Sequence, residues 1–560
     1  MLRVRWLGRV AYQESLDLQR QLFTNSSDDH LLLLEHEHVF TGGPNTDLSN
    51  LLIEPTSIGA TYEPTDRGGD ITYHGPGQLT GYPILSLPGR RGGGIAETRT
   101  YVAKVEDVLI AALADVGLRD CGRIDRYPGV WVEPNSASPQ KIAAIGVRLS
   151  RGRTMHGFAL NVSTDLSWFD RIVPCGIRDF GVTSLQAQGL NVPMEAMVKA
   201  VTQKAVEAWG THGYDQANVV FRNPKTNPIS LSGKHRTPNL AIEDRPITGQ
   251  NRETTERRRR RLNEAGVSEG LSITQRKPSW MKARIDLNDG YRRVRSTLHP
   301  MNLATVCEEA GCPNIYECWG EGTATFMING TRCTRACGFC LVDTRQPEPL
   351  DQQEPHRVAQ AVATMGLSHV VITAVARDDL DDGGVSGFIE TVKAIRSCSS
   401  GVTIETLIPD FGGQAQPLQA LLDENPDVIN HNMETVARLQ RAVRPNAGYA
   451  RSLTVLARAK AHGSLTKSGL IVGLGESDDE LSSALADLAS LGTDIVTIGQ
   501  YLRPTSAHLP VHRWVEPKTF KMWADKGREM GIRHVEASPL TRSSHKAAAS
   551  IRGLRPTPQL

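Results

Sequence analysis

The sequence has little of several features that would assign it to a specialised class of protein. Its 63 basic and 61 acidic residues leave a net charge of only +2, so no overall charge draws it toward nucleic acid. No apolar run reaches the roughly 20 residues that a membrane-spanning helix needs. No removable targeting segment is recognisable before the first predicted strand, residues 4–8. We therefore expect a cytoplasmic protein with neither a membrane nor a nucleic-acid partner.

Length and cysteine usage indicate an enzyme with more than one domain. A chain of 560 residues is too long for one ordinary core, so two or three domains are expected. Most of its nine cysteines occur in clustered spacings. Without a secretory signal, such clusters favour thiolate ligands over disulfides.

One segment divides the chain. Between residues 223 and 275 the hydrophobic periodicity disappears, and residues 257–261 are five consecutive arginines. Such a run is most often a solvated or disordered linker, and less often a patch for an acidic partner. We predict a first domain over residues 1–222, a flexible basic linker over 223–275 and a second domain over 276–560. A flexible linker of that length would tether the domains without fixing their orientation.

The most informative stretch contains Cys333, Cys337 and Cys340, in the spacing C-x3-C-x2-C. Iron–sulfur clusters are held by cysteine thiolates, normally one per iron. Three ligands therefore leave one iron of a four-iron cube open to a small molecule. A structural zinc site is the alternative, although zinc usually takes four ligands in pairs such as C-x2-C.

A second triplet, Cys307, Cys312 and Cys318, lies just upstream in the spacing C-x4-C-x5-C. The downstream spacing resembles that of radical S-adenosylmethionine (SAM) enzymes, and the two triplets together closely resemble lipoyl synthase. The resemblance implies two [4Fe-4S] clusters, with S-adenosyl-L-methionine at the open iron and an auxiliary cluster as sulfur source. It also implies Ser544 as the auxiliary cluster's fourth ligand, in a motif that ends here in His545 where the family has tyrosine. Without the family, Ser544 would be a turn or cap residue.

The second domain alternates strand-like and helix-like segments, which is typical of parallel βα units. In such sheets the chemistry lies at the carboxyl ends of the strands, where the downstream triplet would follow the first strand. The resemblance implies a partial (β/α)6 radical SAM barrel. Methylthiotransferases and biotin synthase are the nearest alternatives, but neither carries the upstream spacing. The predicted strands are residues 324–328, 369–373, 402–405, 469–472 and 494–498; further matching segments are 377–380, 382–384, 431–436 and 500–505.

The first 220 residues carry different motifs. Residues 67–78 alternate strand residues with glycines, which permit close backbone approach to a ligand. Segments 141–146, 156–161 and 174–177 follow in order. This set resembles lipoyl (octanoyl) transferase, an α/β relative of biotin and lipoate ligases. The resemblance implies a substrate-binding set of Arg67, Gly68, Gly69, Asp70, Ile71, Thr72, Tyr73, His74, Ala144, Ile145, Gly146, Gly157, Phe158 and Ala159.

The same resemblance implies Cys175 as the acyl-accepting nucleophile and Lys141 as its activator. A thiol of pKa about 8.5 is mostly protonated at neutral pH, and a nearby ammonium stabilises the thiolate. Attack on a thioester gives an acyl-enzyme, which a substrate lysine then resolves to an amide. From the residues alone, Cys175 could equally be a small buried hydrophobe. His74 either orients substrate or lies in the core.

Together the resemblances imply a bifunctional enzyme of lipoate biosynthesis. The first half would move octanoyl from octanoyl-acyl carrier protein to a lysine of lipoyl carrier domains, as in 2-oxoacid dehydrogenase complexes and the glycine cleavage protein. The second would insert sulfur at C6 and C8, drawing electrons from a donor such as ferredoxin or flavodoxin. One alternative is a lipoyl synthase with a degenerate, docking-only transferase domain. Another is a non-enzymatic iron–sulfur sensor, which would not explain the acyl-transfer motifs.

Overall fold

The structure is a computed structural model that describes residues 1–87, 98–176, 180–221, 252–282, 289–301, 303–309, 312–320, 323–552 and 554. None of the helices within these ranges is long and apolar enough to cross a membrane.

The first half is an α/β domain built on a nine-stranded mixed sheet. The strand order is β12-β1-β2-β6-β10-β9-β8-β7, with β11 paired to β9, and β4-β3-β5 form a smaller sheet. The expected first strand and first helix are both present, as β1 and α1. The elements are β1 (Leu2–Arg9), α1 (Tyr12–Asn25), β2 (Asp29–Glu35), β3 (Val39–Gly42), β4 (Thr61–Pro64), β5 (Thr72–His74), β6 (Gln78–Ile84), α2 (Thr98–Asp115), β7 (Cys121–Ile124), β8 (Tyr127–Val132), β9 (Gln140–Ser150), β10 (Arg153–Asn161), β11 (Gly181–Val182), α3 (Met194–Trp209) and β12 (Tyr214–Asn218).

The second half is a parallel βα domain. Seven strands lie side by side in chain order, from β13 to β19, and every neighbouring pair is parallel. Six βα units run from β13 to α14, as expected, and β19 adds a seventh strand. The elements are α4 (Arg252–Glu264), α5 (Asp289–Leu298), α6 (Val306–Glu309), α7 (Ile315–Gly320), β13 (Thr325–Ile328), α8 (Glu354–Met365), β14 (His369–Ala374), α9 (Val385–Cys398), β15 (Thr403–Leu407), α10 (Ala415–Asp423), β16 (Val428–Asn430), α11 (Gln440–Val443), α12 (Tyr449–Ala461), β17 (Thr466–Val472), α13 (Asp478–Ser490), β18 (Ile495–Gln500), α14 (Pro517–Glu529), β19 (His534–Ser538) and α15 (Ala547–Arg552).

The run of four leucines in β2 shows how the two halves meet. Successive side chains of a strand point to opposite faces of its sheet. Leu31 and Leu33 are buried in the core that includes α2 and α3. Leu32 and Leu34 lie in a second core, which also contains residues of α1, α12 and α13. The sheet is therefore apolar on both faces because the second half of the chain covers one of them.

Helix α1 forms much of this contact by packing against α12. Glu14 accepts a hydrogen bond from Arg451 Nε at 2.8 Å, and Asp17 accepts one from Arg458 Nε at 2.9 Å. Gln21 Nε2 donates to the carbonyl of Leu491 at 2.8 Å. These contacts give the two halves a defined orientation, contrary to the expectation of a tether that leaves it open.

Part of the segment expected to be a flexible linker is helical and packed in this structure. Residues 252–264 form α4, and Leu262, Ala265 and Val267 are buried in the core shared by both halves. The physical reason is that these apolar residues interrupt the polar run and find a barrel surface to cover. The remainder of that segment, residues 222–251, lies outside the described residues.

Arg5 places a buried charge at the centre of the contact between the halves. Its side chain is 2% exposed, and its Nε lies 2.7 Å from Asp487 Oδ1 in α13. Its Nη2 lies 2.5 Å from Asp215 Oδ2 in β12. Tyr449 Oη donates to Asp487 Oδ2 at 2.8 Å, and Ser483 Oγ donates to Asp215 Oδ1 at 2.6 Å. Each carboxylate thus has a second donor, which a buried ion pair needs in order to offset desolvation.

We expect Arg5→Met to lower the free energy of unfolding by about 3 to 5 kcal/mol, because it leaves the buried Asp487 without its cation. Denaturant titration followed by circular dichroism measures the shift. Arg9→Met is the matched control on the same strand. Its 3.8 Å pair with Glu37 is exposed, so its loss costs under about 1 kcal/mol. Equal shifts for the two variants would contradict a structural role for the buried pair.

Candidate functional site

The loop that carries the downstream triplet follows β13 at the carboxyl edge of the parallel sheet. The Cys333 N–H donates to the carbonyl of Asp343 at 2.8 Å, and the Thr334 N–H donates to the carbonyl of Ala376 at 3.0 Å. Cys333 Sγ accepts from the backbone N–H of Arg335 at 3.4 Å and of Ala376 at 3.3 Å. Backbone donors to this sulfur stabilise a thiolate.

Arg335, inside the triplet, fixes this loop to its neighbours and was not singled out from the sequence. Its guanidinium pairs with Asp378 through Nε–Oδ2 at 2.8 Å and Nη2–Oδ1 at 2.6 Å, which is a bidentate contact. The same Nη2 lies 2.6 Å from Oδ1 of the fully buried Asp410. Asp378 follows β14 and Asp410 follows β15, so one side chain joins three loops at the rim.

The sulfurs of the triplet are enclosed. Burial raises the pKa of Cys337 to about 11 and of Cys340 to about 12. Binding of a cationic metal group displaces the protons of such thiols. Within the described residues, no three His, Cys, Asp or Glu side chains converge closely enough to hold a single metal ion. An iron–sulfur cube binds each thiolate at a different iron, so its ligands need not converge on one point.

The upstream triplet lies beside the same sheet. Cys307, in α6, is 5% exposed, and burial raises its pKa to about 12. The Cys312 N–H donates to the carbonyl of Cys307 at 2.9 Å. Cys318 lies on α7, and its N–H donates to the carbonyl of Asn314 at 2.9 Å. A compact helical turn therefore holds the three cysteines together.

The segment that contains Ser544 docks against this turn. Asn314 Nδ2 donates to the carbonyl of Leu540 at 2.7 Å, and His545 Nε2 lies 3.5 Å from Glu317 Oε2. Burial lowers the pKa of Arg542, and the nearby Cys312 opposes that shift. Residues more than 220 positions apart are thus brought together around the upstream triplet. His545, which stands where the family has tyrosine, is part of this contact.

A buried polar chain connects that segment to the interior of the barrel. Lys467 Nζ lies 3.0 Å from both carboxylate oxygens of Glu405, and Asn430 Nδ2 donates to Glu405 Oε1 at 2.7 Å. Asn430 Nδ2 also donates to Ser543 Oγ at 2.9 Å, and Ser543 donates to Asn432 Oδ1 at 3.0 Å. Sequence reasoning missed this set, although Asn432 lies in the matching segment 431–436. The chain fixes the position of the loop that includes Ser544.

In the first half, Lys141 lies near the start of β9. Its Nζ donates to the carbonyl of Pro128 at 3.2 Å and lies 4.7 Å from the ring centroid of Trp131. Val182 pairs with it in β11, and the Thr183 N–H donates to its carbonyl at 2.9 Å. The ammonium is 7% exposed and therefore held in a defined position.

Cys175 lies in a short 3₁₀ turn, Pro174–Gly176, and its side chain lies outside the described residues. The preceding Val173 N–H donates to the carbonyl of Asn50 at 2.8 Å. Asn50 Nδ2 in turn donates to Asp70 Oδ2 at 2.6 Å. Gly176 has φ +68°, and a Cβ added there would lie 3.2 Å from Asp70 Oδ2. The turn that carries Cys175 is thus attached to the glycine-rich segment through Asp70.

The glycine-rich segment crosses β9 at close range. The Gly68 N–H donates to the carbonyl of Val147 at 3.0 Å, and a Cβ on Gly146 would come within 2.8 Å of the Gly68 carbonyl oxygen. Only glycine fits so close an approach. Ala144 and Ile145 lie on the same strand, and Gly157, Phe158 and Ala159 pair with it from β10, so the structure brings these predicted residues together.

The buried side chains of this segment have protein partners. Arg67 Nη2 donates to the carbonyl of Thr41 at 2.6 Å. Tyr73 Oη lies 2.8 Å from His38 Nδ1. The His74 ring contacts Gln78 Oε1 at 2.9 Å and Thr41 Oγ1 at 3.3 Å, and burial lowers its pKa well below the usual range. A neutral imidazole with both nitrogens engaged fits the core alternative for His74.

Comparisons with known proteins match each half. The model "Lipoyl protein ligase A/B catalytic domain" matches residues 11–206, "Radical SAM superfamily" matches 327–488, and "N-terminal domain of lipoyl synthase of Radical_SAM family" matches 246–312. A lipoyl synthase of Rubrobacter xylanophilus is 53% identical over 273 residues, covering 48% of this chain and 85% of that protein. One of Flavobacterium johnsoniae is 48% identical over 281 residues, covering 50% and 98%. The chain belongs to the lipoyl synthase family.

This assignment covers the second half, which is a radical SAM domain whose family uses S-adenosylmethionine and [4Fe-4S] clusters. The first half of this lipoyl synthase carries a lipoyl protein ligase A/B catalytic domain. Among solved structures, a bipartite lipoate protein ligase of Thermoplasma acidophilum overlaps with TM-score 0.32 at 15% identity, covering 39% of this chain and 86% of that one.

We expect Arg335→Gln to lower the free energy of unfolding of the cluster-free protein by about 3 kcal/mol, because Asp410 would be left buried without a cation. Iron retained per chain after reconstitution should fall as the loop loosens. Arg345→Gln is the control in the same loop, since its pair with Asp343 is exposed and worth under about 1 kcal/mol. If both variants unfold and load iron alike, Arg335 does not fix the loop.

Proposed function

We propose that this chain is a bifunctional enzyme that completes lipoyl groups on carrier proteins. Residues 1–222 would transfer octanoyl from octanoyl-acyl carrier protein to a lysine of a lipoyl carrier domain. Residues 276–560 would then insert two sulfur atoms at C6 and C8 of that chain. The observation that carries this proposal is the docking of the Ser544 segment on the upstream triplet, because a second cluster site distinguishes sulfur insertion from simpler radical chemistry.

Two sets of residues would hold the clusters. Cys333, Cys337 and Cys340 would bind the cluster that keeps one iron free for S-adenosylmethionine. Cys307, Cys312, Cys318 and Ser544 would bind the auxiliary cluster. When bound, these groups supply hydrogen abstraction from unactivated carbon and the sulfur that replaces it.

The surrounding residues hold this chemistry in place. Arg335 joins the first loop to its neighbours through Asp378 and Asp410. The chain from Glu405 to Asn430 and Ser543 fixes the loop of Ser544 against the barrel. Because both loops are attached to the same rim, the two cluster sites have a fixed separation in which an octanoyl chain can be oriented.

In the first half, the Cys175 thiolate would attack the thioester carbonyl of octanoyl-acyl carrier protein. The carrier's sulfur leaves as the new thioester forms. The ε-amine of an acceptor lysine then attacks that thioester, the Cys175 sulfur leaves, and an amide results. The ammonium of Lys141, held by Pro128 and Trp131, would stabilise the thiolate form of Cys175. Exchange of one thioester for another is nearly neutral, so amide formation drives the transfer.

We expect Cys175→Ala to abolish octanoyl transfer while sulfur insertion into a preformed octanoyl carrier continues. Mass spectrometry of the acceptor lysine separates the steps, since the second adds two sulfurs and removes two hydrogens. Cys121→Ala is the control in the same half, where no transfer role is assigned. Unchanged transfer by Cys175→Ala would favour the degenerate, docking-only first half.

We expect Ser544→Ala and Cys318→Ala to retain 5′-deoxyadenosine formation with dithionite and S-adenosylmethionine but to lose sulfur insertion. In Cys318→Ala the iron content should fall from about eight toward about four per chain, as one cluster is lost. Cys398→Ala, at an exposed cysteine outside both triplets, should change neither quantity. Loss of 5′-deoxyadenosine in Cys318→Ala at full iron content would overturn the division of the cysteines into two sites.

A further inference from the structure

Helix α4, which contains the five consecutive arginines, lies against the loop of the downstream triplet. Arg258 is buried, and its Nη1 donates to the carbonyl of Ala507 at 2.9 Å. The next residue, His508, places its Nε2 2.8 Å from the carbonyl oxygen of Cys340. Two hydrogen bonds and one peptide step therefore connect α4 to a cysteine of the triplet. Arg258 is also close enough to Cys337 and Cys340 to interact with their charges.

The outer side of this helix is strongly basic. We call the arginine surface the set made of Arg257, Arg259, Arg260 and Arg261 of α4 with Arg441 of α11 and Arg503. A cavity of 480 Å³ opens beside it and is lined by Arg258, Arg259 and Arg503. Nearby carboxylates are Glu256, Glu264 and Glu269, so the six arginines exceed the acidic residues by three.

Contacts within the chain do not neutralise the arginine surface. Glu264 is shared between Arg260, at 3.7 Å, and Arg441, at 2.9 Å. Arg503 donates to the backbone carbonyls of Thr505, Ser506 and His508, and the described residues offer it no carboxylate.

Like charges on this surface repel one another. Burial, followed by repulsion from Arg441, Arg260 and Arg257, lowers the pKa of Arg261. A dense group of like charges that costs free energy in the isolated protein is relieved when a partner brings carboxylates to it.

We propose that the arginine surface is the docking site of an acidic one-electron carrier protein that reduces the cluster held by Cys333, Cys337 and Cys340. This rests on the function proposed above, which needs one electron for each S-adenosylmethionine cleaved. The carrier loses one electron and the cluster gains it, with no other bond made or broken.

Position favours an electron carrier over the lipoyl carrier domain as the occupant. Electron transfer slows steeply with distance, and α4 is attached to the loop of the triplet that would receive the electron. The octanoyl chain must instead reach both cluster sites. The auxiliary triplet packs against residues 540–545, and none of the hydrogen bonds or ion pairs described for α4 involves that region.

The experiment uses the full reconstituted chain, with purified flavodoxin as the acidic carrier. Arg257→Glu/Arg260→Glu reverses two exposed charges, and Lys518→Glu/Lys521→Glu makes the same change on the exposed side of α14. Arg257→Gln/Arg260→Gln tests the site without introducing negative charge. Each protein is assayed for 5′-deoxyadenosine with flavodoxin or with dithionite, and for flavodoxin affinity by calorimetry at two salt concentrations.

We expect the α4 reversal to weaken flavodoxin binding and flavodoxin-driven turnover roughly tenfold or more, with a smaller loss for the glutamine variant. Dithionite-driven turnover and the α14 control should match the parent. Added salt should weaken the parent more than the reversal variant. Equal flavodoxin affinity in all variants would overturn the docking site.

Two further outcomes are separated by the design. Loss of affinity for an octanoylated carrier domain, with flavodoxin binding unchanged, would assign the surface to the substrate carrier and overturn the proposal. Absence of 5′-deoxyadenosine from the parent with dithionite would defeat the proposed radical activity. Calorimetry would still decide the docking site in that case, because binding requires no turnover.

Discussion

The ion pair between Arg5 and Asp487 joins strand β1 of the first half to helix α13 of the second. A charge with 2% exposure is tolerated only when its partners are fixed, and Asp215, Tyr449 and Ser483 complete that arrangement. The pair therefore specifies one way in which the sheet can meet the barrel. The leucines of β2 and the α1–α12 contact bury apolar area in the same relative position, so a single geometry satisfies charge and packing together.

Much of both sites could be predicted from the sequence because the relevant signals are local. Cysteine spacing within each triplet determines which sulfurs share a loop, and short apolar runs between helical patterns locate most strands of the barrel. The glycines near Gly68 and Gly146 likewise indicate a close backbone approach, which the structure contains. Each of these signals is carried by residues within a few positions of one another.

The remaining features depend on residues far apart in the chain. Nothing local in the sequence pairs Arg5 with Asp487, or Asn314 with Leu540, because such contacts exist only after both elements have folded. Strand β16 has three residues and β19 reads HVEAS, so neither shows the apolar run of a buried parallel strand. Helix α4 was interpreted as linker because its composition is dominated by arginine. The few apolar residues near its end, Leu262 and Ala265, decide its packing through tertiary contact.

The fixed orientation of the halves changes how two consecutive activities benefit from sharing a chain. A flexible linker would raise the effective concentration of one site near the other over a broad range of distances. Here α1, Arg5 and the shared core hold both sites at one separation. An octanoylated carrier domain that leaves the first site therefore meets the second after a defined displacement. The gain over separate enzymes is then set by the carrier's own reach: a carrier on a short tether gains nothing if that displacement exceeds its span, and one that can span it gains most.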